Sequence, residues 1–320
     1  MSTLGAAVLA IALLAGGGTL ATLLKAARHE ARAEASHPPE GRIVTVDGHP
    51  VHAHVSGSGP DVVLIHGASG NLRDFTFDLA GRLSERYRVI ALDRPGLGYT
   101  PRLPGRGPAR LSEQARLLAG AAAALGAERP VVLGHSYGGA VALAWAVHAP
   151  ERLSALVLLG AASNPWEGGL SPYYRLASDR WLGPPTVALI SAWVPDRVVT
   201  EAVSEVFAPQ RPPPGYAAHF GPGLTLRRES LRENALQRAA IKDEIIAMVP
   251  RYVGIDAPAE ILHGTEDVTV GLEVHSEPLA RQIPGARLTR LPGVGHMPHH
   301  AEPEAIVAAV DRAAARAGLR

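Results

Sequence analysis

The chain has 320 residues, 47% of them apolar, enough for one large α/β domain with an insertion or for two small domains. Lys plus Arg number 31 against 30 for Asp plus Glu, so no strong field attracts nucleic acid or selects an acidic substrate. The lack of cysteine excludes disulfides, thiolate metal sites and cysteine nucleophiles, leaving hydroxyls, carboxylates and imidazoles for any chemistry.

Met1 to Leu24 carries no charged side chain and is long enough to span a bilayer, for which about 20 apolar residues suffice. The positive residues Lys25, Arg28 and Arg32 follow the apolar run, the reverse of a signal peptide. Residues 1–24 are therefore expected to be an uncleaved membrane anchor, with the downstream chain on the cytoplasmic face. Gly16, Gly17 and Gly18 weaken such a helix, and a signal segment leading to export is the alternative. Residues 25–40, of mixed charge and ending near Pro38-Pro39, read as a tether to a globule that begins at Gly41.

Asp47-Gly48 between two short alternating segments, 42–46 and 50–55, predicts a β-hairpin. Continuous apolar runs follow at 62–66, 89–93, 131–135, 155–159 and 260–263, interleaved with helical segments such as 111–125 and 137–148. Strands of this kind are buried on both faces, and their alternation with helices predicts a doubly wound, mostly parallel sheet. Ligands in such sheets bind beyond the carboxyl ends of the strands.

From 163 to 255 the strand rhythm stops. This stretch contains Trp166, Tyr173, Tyr174, Trp181, Trp193, Tyr216 and Phe220, and it reads as a helical cap inserted between core segments 41–162 and 256–320. Pro212-Pro213-Pro214 within it is a rigid loop rather than a ligand for another domain.

Gly134-His135-Ser136-Tyr137-Gly138 matches G-x-S-x-G, with an apolar strand before it and an Ala-rich helix after it. Ser136 on a tight strand-to-helix turn is a candidate nucleophile; Gly134 and Gly138 leave the space that such a turn needs. The Tyr137 N–H at the start of the helix is a donor for an oxyanion. A serine hydroxyl needs a base and a group that orients the base. Gly295-His296, on a loop between a late strand and the terminal helix, supplies the base. His299 and His300 stand close by, but no carboxylate or cysteine pattern completes a metal site there. Asp267, after the run that ends at Leu262, is the preferred acid and Glu266 its neighbouring alternative; Asp256 lies at the wrong end of the strand. His66-Gly67-Ala68-Ser69 follows the first buried strand and offers the Ala68 N–H as a second oxyanion donor. His66 and Ser69 read more simply as loop-shaping residues that border a pocket, and His135 as packing at the elbow.

With these residues in place, the chain from Gly41 onward resembles the α/β-hydrolase superfamily, in its esterase, cofactor-free haloperoxidase and C–C hydrolase branch. The resemblance rests on His66-Gly67, Asp93-Arg94-Pro95-Gly96-Leu97-Gly98, the elbow at Ser136, the segment from His263-Gly264 to Asp267, and Gly295-His296. It implies an eight-stranded sheet with a helical cap and a Ser136, Asp267, His296 triad, and no cofactor. Serine at the elbow, where epoxide hydrolases and haloalkane dehalogenases have aspartate, argues against an alkyl-enzyme. The expected activity is hydrolysis of carboxylic esters with an apolar acyl or alcohol part. The aromatic cap is expected to line the pocket, through Trp166, Tyr173, Trp181 and Trp193. Acyl transfer, perhydrolysis and C–C hydrolysis use the same triad, with C–C cleavage ranked lower. A catalytically silent, membrane-anchored binding module is the reading from another class.

Overall fold

Each apolar run becomes a strand buried on both faces. The computed structural model describes residues 3–105 and 107–319, with side chains from residue 16 onward. Its strands are β1 (Arg42–Val46), β2 (His49–Ser56), β3 (Asp61–Ile65), β4 (Arg88–Leu92), β5 (Val131–His135), β6 (Ala155–Leu159), β7 (Ala259–Gly264) and β8 (Arg287–Leu291). They form one eight-stranded sheet in the order β1, β2, β4, β3, β5, β6, β7, β8. The two β1 and β2 pairings are antiparallel and the rest are parallel. The hairpin forms at Asp47-Gly48, whose φ values of 49° and 80° are the two positive angles that a two-residue turn of this kind requires.

The helices are α1 (Thr3–Ser36), α2 (Arg73–Thr76), α3 (Leu79–Ser84), α4 (Leu111–Ala124), α5 (Tyr137–His148), α6 (Pro172–Ser178), α7 (Gly183–Trp193), α8 (Asp196–Val206), α9 (Tyr216–Phe220), α10 (Pro222–Thr225), α11 (Arg228–Met248), α12 (Ser276–Gln282), α13 (Pro298–Ala301) and α14 (Pro303–Arg316). Side chains alternate across the sheet, so the strands feed two cores. Val63, Ile65, Val132 and Leu158 pack with α4 and α5 through Leu118, Val141 and Trp145. Val62, Leu64, Leu133 and Val157 face the other way, onto Leu79 and Leu83 of α3 and Ile306 and Val310 of α14. Burying one such aliphatic side chain contributes about 1.5–3 kcal/mol, so both faces are held firmly. This fixes the carboxyl ends of β3, β5, β6 and β7, the edge where the site is built.

Of the tether expected over residues 25–40, residues 25–36 are the last turns of α1 and dock on the cap. Ala26 and Ala33, seven residues apart and so on one helix face, are buried, and α1 packs on α7 and α10. The mixed charges find partners instead of solvent. Glu30 grips Arg228 through two contacts of 2.8 and 2.7 Å, His29 meets Asp196 at 2.7 Å, and Lys25 sits 3.6 Å above the Trp193 ring. The helix stops at Ser36, two residues before Pro38. Of the segment expected to be an anchor, Met1 and Ser2 and the side chains up to residue 15 lie outside the described residues. Among the described residues no helix is long and apolar enough to cross a membrane.

Candidate active site

Ser136 stands at the end of β5 with φ 54° and ψ −116°, a conformation costly for a residue with a side chain. The turn is over-determined by its neighbours. A Cβ on Gly134 would run into the Gly138 carbonyl, and one on Gly138 into the carbonyls of Ile65 and His66 in the adjoining strand end. The Ser136 N–H is held by Leu159 O at 2.9 Å. The strain therefore lifts the hydroxyl above the sheet while the backbone stays pinned.

His296 arrives on the loop after β8 and Asp267 on the loop after β7. The His296 Nε2 lies 2.9 Å from Ser136 Oγ, and Nδ1 lies 2.7 Å from Asp267 Oδ2. Asp267 Oδ1 accepts the N–H groups of Thr269 and Val270, both at 2.9 Å. Burial would raise the Asp267 carboxyl. Hydrogen bonds from His263 and His296 and the Val270 N–H outweigh it and hold the group far below the usual carboxylate range. An ionised Asp267 keeps the imidazole proton on Nδ1 and leaves the Nε2 lone pair facing the hydroxyl. Glu266, the alternative acid, is exposed.

His263 was not foreseen as part of the site. Its Nε2 lies 2.7 Å from Val270 O and 3.1 Å from Asp267 Oδ2, so that nitrogen carries the proton, while Nδ1 accepts from Ser276 Oγ at 2.6 Å. The signal was its place four residues before Asp267, at the end of the same buried strand.

The Tyr137 N–H begins α5, and Gly67 abuts Ser136: a Cβ placed on it would lie 3.3 Å from Ser136 Cβ. Among the described residues no protein acceptor takes the N–H of Ala68 or Tyr137. Above them opens a cavity of about 580 Å³, bordered by Ala68, Ser69, Ser136 and His296 and roofed by the cap. This is the size of an ordinary small-molecule pocket. At the floor of that cavity the imidazole can take the hydroxyl proton on Nε2 while the ionised carboxylate holds its Nδ1–H, beside two donors suited to negative charge on an oxygen.

A family model described as alpha/beta hydrolase fold matches residues 60–303. The chain belongs to that family. It is accordingly an enzyme of the hydrolase superfamily. The 2-hydroxymuconate semialdehyde hydrolase of Pseudomonas putida is 30% identical over 272 residues, 81% of this chain and 88% of that one. The solved structure of a thermophilic esterase from Thermogutta terrifontis superposes with a TM-score of 0.68 at 24% identity, covering 87% of this chain and 99% of the esterase. A bacterial membrane phospholipase A superposes with a TM-score of 0.61 at 24% identity, over 98% of both chains.

In this alpha/beta hydrolase the cavity wall mixes aliphatic side chains with the aromatic rings of Tyr173, Tyr174, Tyr216 and Phe220. Of the four cap aromatics expected to line it, only Tyr173 does; Ser69 also borders it. Trp181 is 75% exposed, and Trp193 turns to α1. Trp166 packs on the His275 ring, 5.8 Å between centroids, at the edge of the core. His66 is buried beneath the Gly67–Ser69 loop, outside the cavity, where its Nε2 accepts the Arg94 N–H at 3.0 Å. The roof comes from Ile190 and Val194 around α7 and from Val199, Val203 and Val206 of α8. Apolar residues at 198, 199, 202, 203 and 206 repeat at helical spacing, and that stripe was the missed signal.

Asp74 supplies the carboxylate that the downstream histidines lacked in sequence. It accepts from Tyr216 Oη at 2.7 Å, His300 Nε2 at 2.9 Å and His299 Nε2 at 3.1 Å. Asp74, His135 and His299 bring three possible ligand atoms within 4.8 Å of one another, but the carboxylate is already satisfied by these donors. Burial alone would raise the Asp74 carboxyl, and the two histidines hold it well below its ordinary value. Burial also pushes His135 well below the usual imidazole value, so the elbow histidine stays neutral and donates from Nε2 to His296 O at 2.8 Å.

Proposed function

We propose that this protein is a serine hydrolase that cleaves carboxylic esters with an apolar acyl or alcohol part. The observation that carries the reading is the Ser136, His296, Asp267 line opening on a largely apolar cavity. Ser136 Oγ attacks the ester carbonyl carbon while His296 Nε2 takes the hydroxyl proton. The carbonyl oxygen becomes an oxyanion against the Ala68 and Tyr137 N–H groups, and collapse expels the alkoxide, which receives the proton from His296. A water deprotonated by the same imidazole then attacks the acyl-Ser136 ester, and collapse frees the acid as Ser136 Oγ takes that proton back from His296. Asp267 stays ionised throughout. No cofactor enters these steps. On 4-nitrophenyl butyrate, Ser136→Ala is expected to lose about a millionfold in kcat; a variant that keeps its rate sinks the reading.

One observation favours a second reading, C–C bond hydrolysis: the similarity to 2-hydroxymuconate semialdehyde hydrolase over most of both chains. The aliphatic roof supports the ester reading. Comparing kcat/KM on 4-nitrophenyl butyrate and on 2-hydroxymuconate semialdehyde decides between them, since each predicts the larger value for its own substrate.

We also infer that residues 1–24 anchor the enzyme in a membrane. Leu20, Leu23 and Leu24 on α1 are exposed, as are Trp181, Leu182, Leu189 and Trp193 on or beside α7, the cap helix on which α1 packs. Exposed tryptophans next to an apolar helix suit a lipid headgroup layer. Full-length protein recovered from the soluble fraction would contradict this.

A further inference from the structure

Arg94, in the Asp93-Arg94-Pro95-Gly96 segment after β4, is fully buried yet forms no ion pair among the described residues. Burial pushes its guanidinium down to about 10, so it remains a cation at neutral pH. Asp93 and Glu233 act on it electrostatically without a contact ion pair, and a cation buried in this way persists only where its donors are satisfied. Here Nε donates to His66 O at 3.0 Å and Nη2 to Gly67 O at 2.9 Å. Nη1 donates to Gln114 Oε1 at 3.0 Å and to Gln237 Oε1, from cap helix α11, at 2.6 Å. The guanidinium also lies 4.2 Å from the centre of the Tyr137 ring.

Gly67 O receives a second donor. The His66 Nε2 accepts the Arg94 N–H, which leaves the imidazole proton on Nδ1, 2.9 Å from Gly67 O. The Gly67 carbonyl and the Ala68 N–H are the two ends of one conjugated peptide unit. Donors on its oxygen draw electron density away from its nitrogen and strengthen the N–H as a donor, as in any polarised hydrogen-bond chain. We propose that Arg94 is a positioning residue that charges the oxyanion hole from behind, polarising and aiming the Gly67–Ala68 peptide through Gly67 O. The cation adds an attraction for negative charge developing on the substrate oxygen. That attraction is small for the neutral ground-state ester, so the effect falls on kcat more than on KM.

The inference rests on the serine hydrolase reading and is tested on the full-length enzyme with 4-nitrophenyl butyrate and a trifluoromethyl ketone, whose adduct with Ser136 carries an oxyanion. R94Q removes the charge, and R94K keeps it with fewer hydrogen bonds. R94Q is expected to lose about 10- to 100-fold in kcat, less than the 100- to 1,000-fold cost of a whole donor. KM should stay within about threefold, and ketone affinity should fall in step with kcat/KM, with R94K recovering most of both. Folded R94Q with unchanged kcat, R94K as damaged as R94Q, or unmoved ketone affinity overturns the proposal. If R94Q does not fold, R94K alone decides: a loss of ketone affinity under about tenfold supports the role of charge, and one near a thousandfold refutes it. Failure of a fluorophosphonate to label wild-type Ser136 would fell the serine reading itself, whereas normal labelling with an unaffected R94Q fells this inference alone.

Discussion

Asp267 takes four hydrogen bonds on two oxygens, from two imidazoles and two backbone N–H groups, and each of them favours the ionised form. Replacing it by asparagine keeps the shape but lets the imidazole hold its proton on the wrong nitrogen. Asp267→Asn is expected to lower kcat about 10,000-fold while KM changes little; steady-state kinetics on a chromogenic ester checks this, and a loss under tenfold would remove Asp267 from the mechanism. Gly138 makes a steric test at the same scale. A methyl group there meets the Ile65 and His66 carbonyls, which lie in the backbone and cannot rotate aside. Gly138→Ala is thus expected to displace the elbow and abolish activity; a variant with wild-type melting temperature and rate would show that the turn has slack.

Among the elements, α1 and the cap depart most from what the sequence suggested. The strands were legible because they are buried on both faces and so are apolar throughout, a pattern with one structural meaning at that length. Residues 25–40 read as a tether from their mixed charge and the Pro38-Pro39 pair. A single chain cannot show that Glu30, His29 and Lys25 find Arg228, Asp196 and Trp193 some 170 to 200 residues away. The same blindness displaced the cap aromatics. Trp193 and Trp181 are large and apolar, but which way a helix face turns depends on partners that sequence does not reveal. Removing residues 1–24 is expected to leave the melting temperature of the remaining domain nearly unchanged. Removing 1–36 uncovers α7 and α10 and should lower it by several degrees, since about 1 kcal/mol is worth roughly 2–4 °C in a chain of this size. Equal melting temperatures for the two truncations would contradict the docking of α1.

For the whole molecule, the buried histidines set how stability depends on pH. His66 and His275 are each pushed down to about 4, chiefly by burial, and His275 Nδ1 must stay bare to accept the Ser163 and Asn164 N–H groups, both at 3.1 Å. Free imidazoles protonate near pH 6.5, so between roughly pH 6.5 and 4 the unfolded chain binds more protons than the folded one, and stability falls as pH drops. The lowered carboxyls of Asp74, Asp93 and Asp267 act in a separate window: their contribution is complete above about pH 4 and is lost below it. The melting temperature is expected to decline from about pH 6.5 downward and to drop more steeply below about pH 4, with a shallower slope in His275→Gln. A flat profile between about pH 7 and 5 would contradict this. The corners of the site were legible because strand ends carry the chemistry in this fold and the motifs sit at strand ends. Sequence did not separate Asp267 from Glu266; in the structure the Thr269 and Val270 N–H groups cradle the Asp267 carboxylate.

The proposed chemistry requires the hydroxyl at the end of β5 to be a working nucleophile. The most direct test is to react the full-length protein with a fluorophosphonate and map the modified peptide by mass spectrometry. One adduct on Ser136, lost when His296 is replaced by alanine, is the expected result; an unreactive Ser136, or labelling that does not depend on His296, would contradict it.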